Sequence, residues 1–264
     1  MAVHHHYRRN QEAPRATAPQ PLIRFNLAGP GQSTITKTGQ AVTGMVTAQG
    51  QSFLGEYDVT TVLAPELGNV PVLRCGYGAS LFQPAGEYLP DTLYGDHARH
   101  VICYAKVPLG FNREVLGWGD TGTRQAFDLV SLLADAASSN YGIGIHQIAN
   151  DGIKPQVPPR ATERYVKYHI KYLPQSSGTQ PQTGILSTLD GLNSDSIPLN
   201  LTTGGGLENP NRKGLRIGLG VNTGGLGGAA PIYIAHVEIH DRILTAAEEL
   251  LHDNEWDPVY GYAN

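Results

Sequence analysis

IAHVEIHDRILTAAEELLHD, residues 234–253, is the stretch whose reading decides the fold. It opens with strict alternation, which is the period of a β-strand, and turns at Asp241 and Arg242. A short helix follows. Thr245 and Glu248 have capping-box spacing, so the hydroxyl can take a first-turn N–H while the carboxylate reaches back. Ala246, Ala247, Glu248, Glu249, Leu250 and Leu251 are good helix formers. The predicted helix is barely two turns, too short to persist alone, so it must dock. The expected docking face is Leu250 or Leu251, with Leu244, covering an exposed edge or end of a sandwich while Glu248 and Glu249 meet water.

Outward from that stretch the chain reads as strands. LIRFNLA sends Ile23, Phe25 and Leu27 one way and Arg24 and Asn26 the other. In ARHVICYAKV (98–107), His100, Ile102, Tyr104 and Lys106 oppose Val101, Cys103, Ala105 and Val107. In RYVKYHIKYL (164–173), Tyr165, Lys167, His169 and Lys171 oppose Val166, Tyr168, Ile170 and Tyr172. AVTGMVTAQ, DVTTVLA, REVLGWGD (113–120), QAFDLVSLLAD (125–135), NYGIGIHQIANDG (140–152), TGILSTLDG (183–191), GLRIGLGVN (214–222) and PIYIAHVEIHDRIL (231–244) bring the expectation to about ten strands, as a sandwich requires. DLVSLLADAASS also passes for a helix on local propensity, and residues 30–95 have room for further strands.

Composition agrees. The 264 residues include 32 Gly and 18 Pro, with 40% hydrophobic and 16% charged positions, which suits many short strands joined by turns. The net charge of −4 is scattered, and no basic stripe with interleaved aromatics points to nucleic acid. No apolar run reaches membrane-spanning length. The N-terminal residues lack the apolar core of a secretory signal. Cys75 and Cys103 are too few for a stapled ectodomain and read as two buried thiols. Residues 1–21 are polar, carry Pro14, Pro19 and Pro21, and read as an extended arm that gains order from contacts with another chain; Tyr7, Arg8, Arg9 and Arg15 are its candidate assembly residues. His4, His5 and His6 read as part of this polar arm.

The closing motif resembles the end of laminin-G-like, concanavalin A-like jelly-roll domains. The residues that match are Glu238, Ile239, His240, Asp241, Arg242, Leu244, Thr245, Ala246, Ala247 and Glu248. ARHVICYAKV, VLGWGDTG, RYVKYHIKY and TLDGL resemble earlier segments of that family in the right order, over roughly residues 95 to 253. The family's usual aromatic before its "hhvavty" strand is replaced by Glu163-Arg164-Tyr165. DNEWDPVYGYAN resembles tails on such domains in phage virion proteins, although Glu255 rather than Pro precedes Trp256.

Catalytic patterns are sparse. The jelly roll hosts glucanases, whose retaining members need two carboxylates about 5 Å apart. Here Glu238 and His240 share a strand face, Asp241 falls opposite, and Arg242 occupies the i+4 position, so a solvated or salt-bridged strand end is the expected role. No nucleophile elbow and no phosphate loop is present. The family resemblance implies calcium held by loop acids, for which Asp120, Asp151, Asp190 and Asp195 are the candidates, with ordinary turn formation as the competing role. No other cofactor is expected. Tyr77, Tyr88, Tyr94, Trp118, Tyr141 and Trp256 are candidate stacking or interface aromatics, with core packing as the competing role.

The expectation is an all-β, two-sheet jelly-roll sandwich over 22–253, with the arm at 1–21 and a tail at 254–264. The expected function is that of a non-enzymatic bacteriophage virion protein, a capsid decoration, cement or tail-associated subunit. It would be homo-oligomeric, located in the virion and bound to other virion proteins through the arm. A carbohydrate-binding, receptor-binding lectin-like module is the alternative, and a glycoside hydrolase stands behind both on fold analogy alone.

Overall fold

The computed structural model describes residues 17–56, 58–87, 89–94, 97–106, 113–119, 126–133, 141–145, 165–172, 183–189, 194–200, 214–218 and 230–261. Their strands are β1 (Ile23–Asn26), β2 (Thr34–Thr38), β3 (Ala41–Val46), β4 (Ser52–Gly55), β5 (Val59–Ala64), β6 (Val70–Cys75), β7 (Leu81–Phe82) and β8 (Arg99–Lys106). They continue as β9 (Arg113–Gly119), β10 (Ala126–Leu133), β11 (Tyr141–Ile145), β12 (Tyr165–Tyr172), β13 (Thr183–Leu189), β14 (Ser194–Asn200), β15 (Arg216–Ile217) and β16 (Ile232–His240). One helix, α1 (Ala246–Trp256), follows. The all-β class holds, and DLVSLLADAASS contributes a strand, β10, over its described part. The additional strands β2, β4, β6 and β7 lie within residues 30–95, and β14 is added after β13.

All pairings are antiparallel. One layer runs β11-β10-β9-β15-β7-β4-β3, with β2 on β3; the other runs β5-β6-β16-β8-β12-β13-β14, with β1 on β16. A single pair, Ala41 with Thr60, links the layers into one hydrogen-bonded path. Between them lies the main core, where Val42, Met45, Phe53, Leu81, Val115, Leu116 and Ile217 meet Ile23, Phe25, Val101, Cys103, Val166, Ile170, Val237 and Ile239. Cys75 and Cys103 are buried thiols, not joined in a disulfide. Gly218 closes β15 at φ +97°, where a Cβ would stand 2.4 Å from Cys75 Sγ, so only glycine fits.

β16 is the central strand. Its first half pairs with β6 (Ile232 opposite Cys75) and its second half with β1 (Ile239 opposite Ile23), while β8 takes its other edge. The β8 register shifts between Ile234 and His236, a bulge at Ala235. That extra residue changes the strand's phase. Ile232 and Ile234 face the core before it, Val237 and Ile239 after it, and His236, Glu238 and His240 are carried onto the opposite face.

That opposite face is covered by α1 and the turn after it. A second cluster there holds Ile102, Tyr104, Tyr165, Ala235, Leu244, Trp256 and Tyr260. The capping box is formed: Thr245 Oγ1 accepts from Glu248 N (3.3 Å) and Glu248 Oε2 accepts from Thr245 N (2.9 Å). The docking face differs from expectation. The helix has eleven residues rather than two turns, and it buries His252 and Trp256. Leu250 is 59% exposed and Leu251 only half-buried, because the i, i+4 stripe that meets the sheet passes through 252 and 256. The boundary drawn at 253 falls inside this helix, and Trp256, Asp257 and Tyr260 are buried, so residues 254–260 belong to the packed body. Gly29, at φ +82°, lets the chain leaving β1 pass against Trp256, where a Cβ would lie 2.7 Å from the ring.

Candidate functional site

Two places on the outer face of the β16 layer gather chemistry. The first is buried beneath α1. Three strands in register set Glu238 opposite Ile102, His236 opposite Tyr104 and His240 opposite His100, with Lys167 and His169 alongside on β12. β1 adds Arg24, paired with Glu238 across the strands. The helix and its following turn supply His252, Asp253, Trp256, Asp257 and Tyr260 from above.

Glu238 is the hub. Arg24 Nε donates to its Oε1 at 2.6 Å, and His240 Nε2 lies 3.1 Å from Oε2. His236 Nε2 stands 3.3 Å from Oε1 and His252 Nε2 3.6 Å from Oε2, yet neither has hydrogen-bond geometry to any partner. Burial alone would raise the Glu238 pKa. The facing His236 and His240 imidazoles outweigh it and hold the carboxyl well below its ordinary value. The same burial drives His236 down to about 4 against the pull of Glu238, so the imidazole is neutral beside a charged carboxylate.

Next to the hub, Lys167 is almost wholly buried and fully paired. Its Nζ lies 2.9 Å from Asp253 Oδ1 and from both oxygens of Asp257, whose Oδ1 also accepts from the Tyr104 hydroxyl at 2.7 Å. Farther along, Leu244 N donates to His100 Nδ1, and His100 Nε2 meets His169 Nδ1 at 3.2 Å. Burial first, then the neighbouring imidazoles and lysines, pushes His100 to about 2 and His169 to about 3. Of the two roles expected of it, Glu238 has the salt-bridged one and is not solvated. Four chain segments converge on it, and it has no opening to a substrate. His236, Glu238 and His252 do bring one ligand atom each within 4.8 Å of one another, the donor set of a transition-metal site.

The second place is open. A groove of about 420 Å³ is lined by Val62, Leu63, Glu66, Arg74, Tyr165 and Tyr233 together with Lys106. The β5–β6 hairpin builds one wall, turning through a 3₁₀ turn, Pro65–Leu67, then Gly68 and Asn69 in left-handed geometry. Lys106 Nζ sits 4.7 Å from the Tyr233 ring centre and 5.3 Å from that of Tyr165, and bonds Glu66 Oε1 at 2.6 Å. That bond holds the Glu66 carboxyl below its ordinary value. Arg74 is paired with Asp58 at 2.8 Å and projects at the rim, while Leu63 is 63% exposed. The groove thus offers the half-buried Tyr233 ring, with Tyr165 packed at its base at 5% exposure and Lys106 over both, flanked by fixed charges of both signs.

The residues singled out from the sequence fall elsewhere. Tyr94, Trp118 and Trp256 are buried, so none offers an open face. Their large apolar area is used inside: Tyr94 Oη accepts from Leu89 N, Trp118 Nε1 donates to Leu93 O at 2.8 Å, and Trp256, whose Nε1 finds no hydrogen-bond partner, lies 4.3 Å from the His236 ring with Arg24 over its face. Tyr77 is exposed on the turn after β6. Tyr141 begins β11 and Asp195 pairs with Thr188, with backbone alone described for both. Tyr88, Asp120, Asp151, Asp190, the arm residues Tyr7, Arg8, Arg9 and Arg15, and the tract His4, His5 and His6 lie outside the described residues. Neither Lys106, Tyr165 and Tyr233 nor His236 and His252 was singled out as a site. The available signal was polar residues alternating on neighbouring strands, with the bulge phase shift in IYIAHVEIH deciding which face they share.

No protein-family model and no curated protein matches the chain. Solved structures do. A GH54 α-L-arabinofuranosidase soaked with a cyclic sulfate inhibitor is similar over 94% of this chain and 61% of its own, with TM-score 0.56 and 10% identity. A Trypanosoma rangeli sialidase in complex with 2,3-difluorosialic acid is similar over 86% of this chain and 33% of its own, with TM-score 0.50 and 13% identity. The binding domain of botulinum neurotoxin DC, in complex with rat synaptotagmin II, is similar over 85% of this chain and 51% of its own, with TM-score 0.50 and 9% identity. The chain thus spans a third to three fifths of these proteins. At such identities the likeness establishes a shared β-sandwich fold. Among the described residues no helix is long and apolar enough to cross a membrane.

Proposed function

We propose that this chain is a non-enzymatic, lectin-like binding module that takes a carbohydrate in the groove between the β5–β6 hairpin and the Tyr165–Tyr233 pair. One observation carries the reading: a groove of about 420 Å³ in which the half-buried Tyr233 ring, backed by the buried Tyr165, stands beside the charged groups of Lys106, Glu66 and Arg74. The apolar C–H face of a sugar suits the Tyr233 ring, and its hydroxyls suit fixed charged partners. The sandwich fold, shared with a sialidase and an arabinofuranosidase that act on sugars, is in keeping with this ligand class. Binding rather than catalysis is proposed because Glu238, the carboxylate set among histidines, is sealed under α1. An oligosaccharide array probed with the full chain tests it. Binding to a defined glycan is the expected result, and silence across neutral, acidic and sialylated sugars would contradict it.

A second reading, the virion building block, draws on an apolar patch. Val46 and Leu54, diagonal neighbours on β3 and β4, are 44% and 46% exposed and suit a contact between subunits. In this reading the module is displayed on a phage particle and the arm joins it to neighbouring chains. Mass spectrometry of purified particles checks it, and absence of the chain from intact virions would exclude it.

A further inference from the structure

We propose that His236, Glu238 and His252 form a structural site for a divalent transition-metal ion of the zinc class, which ties α1 to β16. The argument starts from protons. Tyr260 has one hydroxyl proton, and it goes to Ala235 O at 3.2 Å. The same oxygen lies 3.3 Å from His236 Nδ1, so that contact requires Nδ1–H of the imidazole to donate. His252 Nδ1 lies 3.2 Å from Asp253 Oδ1, a carboxylate already paired with Lys167, and a carboxylate only accepts. With Nδ1 acting as the donor in both rings, the neutral tautomer of each turns an Nε2 lone pair inward. These two atoms are buried and lack hydrogen-bond partners, and both face the Glu238 carboxylate.

Three lone pairs converging in a buried site repel one another unless a proton or a cation lies between them. The spacings fit an ion better than a direct bond. Nε2···Oε separations of 3.3 and 3.6 Å exceed the N–H···O range of about 2.7–3.2 Å. The first equals the edge of a tetrahedron with metal–ligand bonds of about 2.0–2.1 Å, about 3.3–3.4 Å; the second runs to the other carboxylate oxygen and is slightly longer, and the three ligand atoms together lie within 4.8 Å of one another. The surroundings have the form of an outer shell. Each imidazole gives its other N–H to a fixed oxygen, and the carboxylate is held by Arg24 Nε. His240 Nε2, 3.1 Å from Glu238 Oε2, is placed to complete the coordination or to steady it. Charge permits the ion: the layer buries the carboxylates of Glu238, Asp253 and Asp257 against the cations of Arg24 and Lys167, leaving one negative charge over. Two nitrogens and one oxygen select a zinc-like ion over calcium, which takes oxygen. Because His252 comes from the helix and the other two ligands from the strand, the ion would act as a clasp.

The test uses the full-length chain carrying His4→Gln, His5→Gln and His6→Gln, stripped with chelator and titrated with Co²⁺ and Zn²⁺. Expected are one equivalent bound per chain, visible d–d bands of a four- or five-coordinate Co²⁺ centre, and a raised Tm. His252→Gln and His236→Gln should each weaken binding at least 100-fold, while His97→Gln, at an exposed histidine, leaves it unchanged. Should those variants fail to fold, X-ray absorption of the Zn²⁺-loaded parent decides: at least two imidazoles support the site, and a shell without imidazole overturns it. A folded parent that binds no stoichiometric ion also overturns it.

Discussion

Arg24 and Glu238, 214 positions apart in sequence, meet at 2.6 Å on adjacent strands with both side chains buried. The contact joins the first strand of the sandwich to its central one beneath the helix. Removing one partner leaves a buried charge without its counter-ion. Glu238→Ala is expected to lower stability by about 3–5 kcal/mol, and Arg24→Ala by a similar amount. The double replacement Arg24→Met with Glu238→Leu should cost clearly less than the two single losses combined. Urea denaturation in chelator-containing buffer measures all of them, and additive losses would show that the pair does not act as a unit.

The helix cap is separable from the layer beneath it. Thr245→Ala deletes the acceptor for Glu248 N and is expected to cost about 1 kcal/mol. Hydrogen exchange should quicken across 246–256 while the β8 and β16 amides keep their protection. Equal loosening of both would mean that the helix and sheet open together.

Trp256→Ala is expected to be the most damaging change in the helix, at about 3–5 kcal/mol, because it opens a cavity over His236 and Arg24. Leu250→Ala, at an exposed position, should change stability by less than about 0.5 kcal/mol. Thermal melts of both variants check the contrast. A larger loss at Leu250 would restore the docking face expected from local helix pattern.

How far the sequence spoke is clearest here. The strand–turn–capped helix motif identified a docked closing helix, since capping is local chemistry written in two residues, Thr245 and Glu248. Which side it docked on was not local. Leu250 and Leu251 looked like the apolar face, but the partner surface is a polar strand face whose burial becomes evident only when β1, β8, β12 and β16 are laid side by side. The alternation of His100, Tyr104, Lys167 and His169 was plain in sequence. Its meaning depended on register and on the Ala235 bulge, which sends Glu238 under the helix. Trp118 and Trp256 failed as surface platforms for the same reason: exposure is a property of what packs above a residue. The groove needed still more, because Lys106, Tyr165 and Tyr233 come from three strands and Glu66 from a turn.

Acid should weaken the protein well before its carboxylates titrate. His100 and His169 have folded pKa values near 2 and 3, caused mainly by burial, against about 6.5 in the unfolded chain. Below about 6.5 the unfolded state binds protons that the folded state refuses. Stability therefore rises with pH through roughly 3 to 6.5 and is lost as pH falls, by up to about 1.4 kcal/mol per pH unit for each histidine. Denaturation at pH 7.5, 6 and 5 measures the slope, and His100→Phe with His169→Phe should reduce it, His236, held at about 4, keeping the remainder. A stability that stays level from pH 7.5 to 5 would contradict the buried, neutral state of this pair.

The claim that this sandwich binds sugar through its open groove meets its most direct test in calorimetry of the parent and Tyr233→Ala with the strongest glycan from an array. The account predicts one site per chain and an affinity loss of at least about tenfold in the folded variant, or 1.4 kcal/mol. Unchanged affinity in Tyr233→Ala, or turnover of the glycan that disappears in Glu238→Gln, would contradict it.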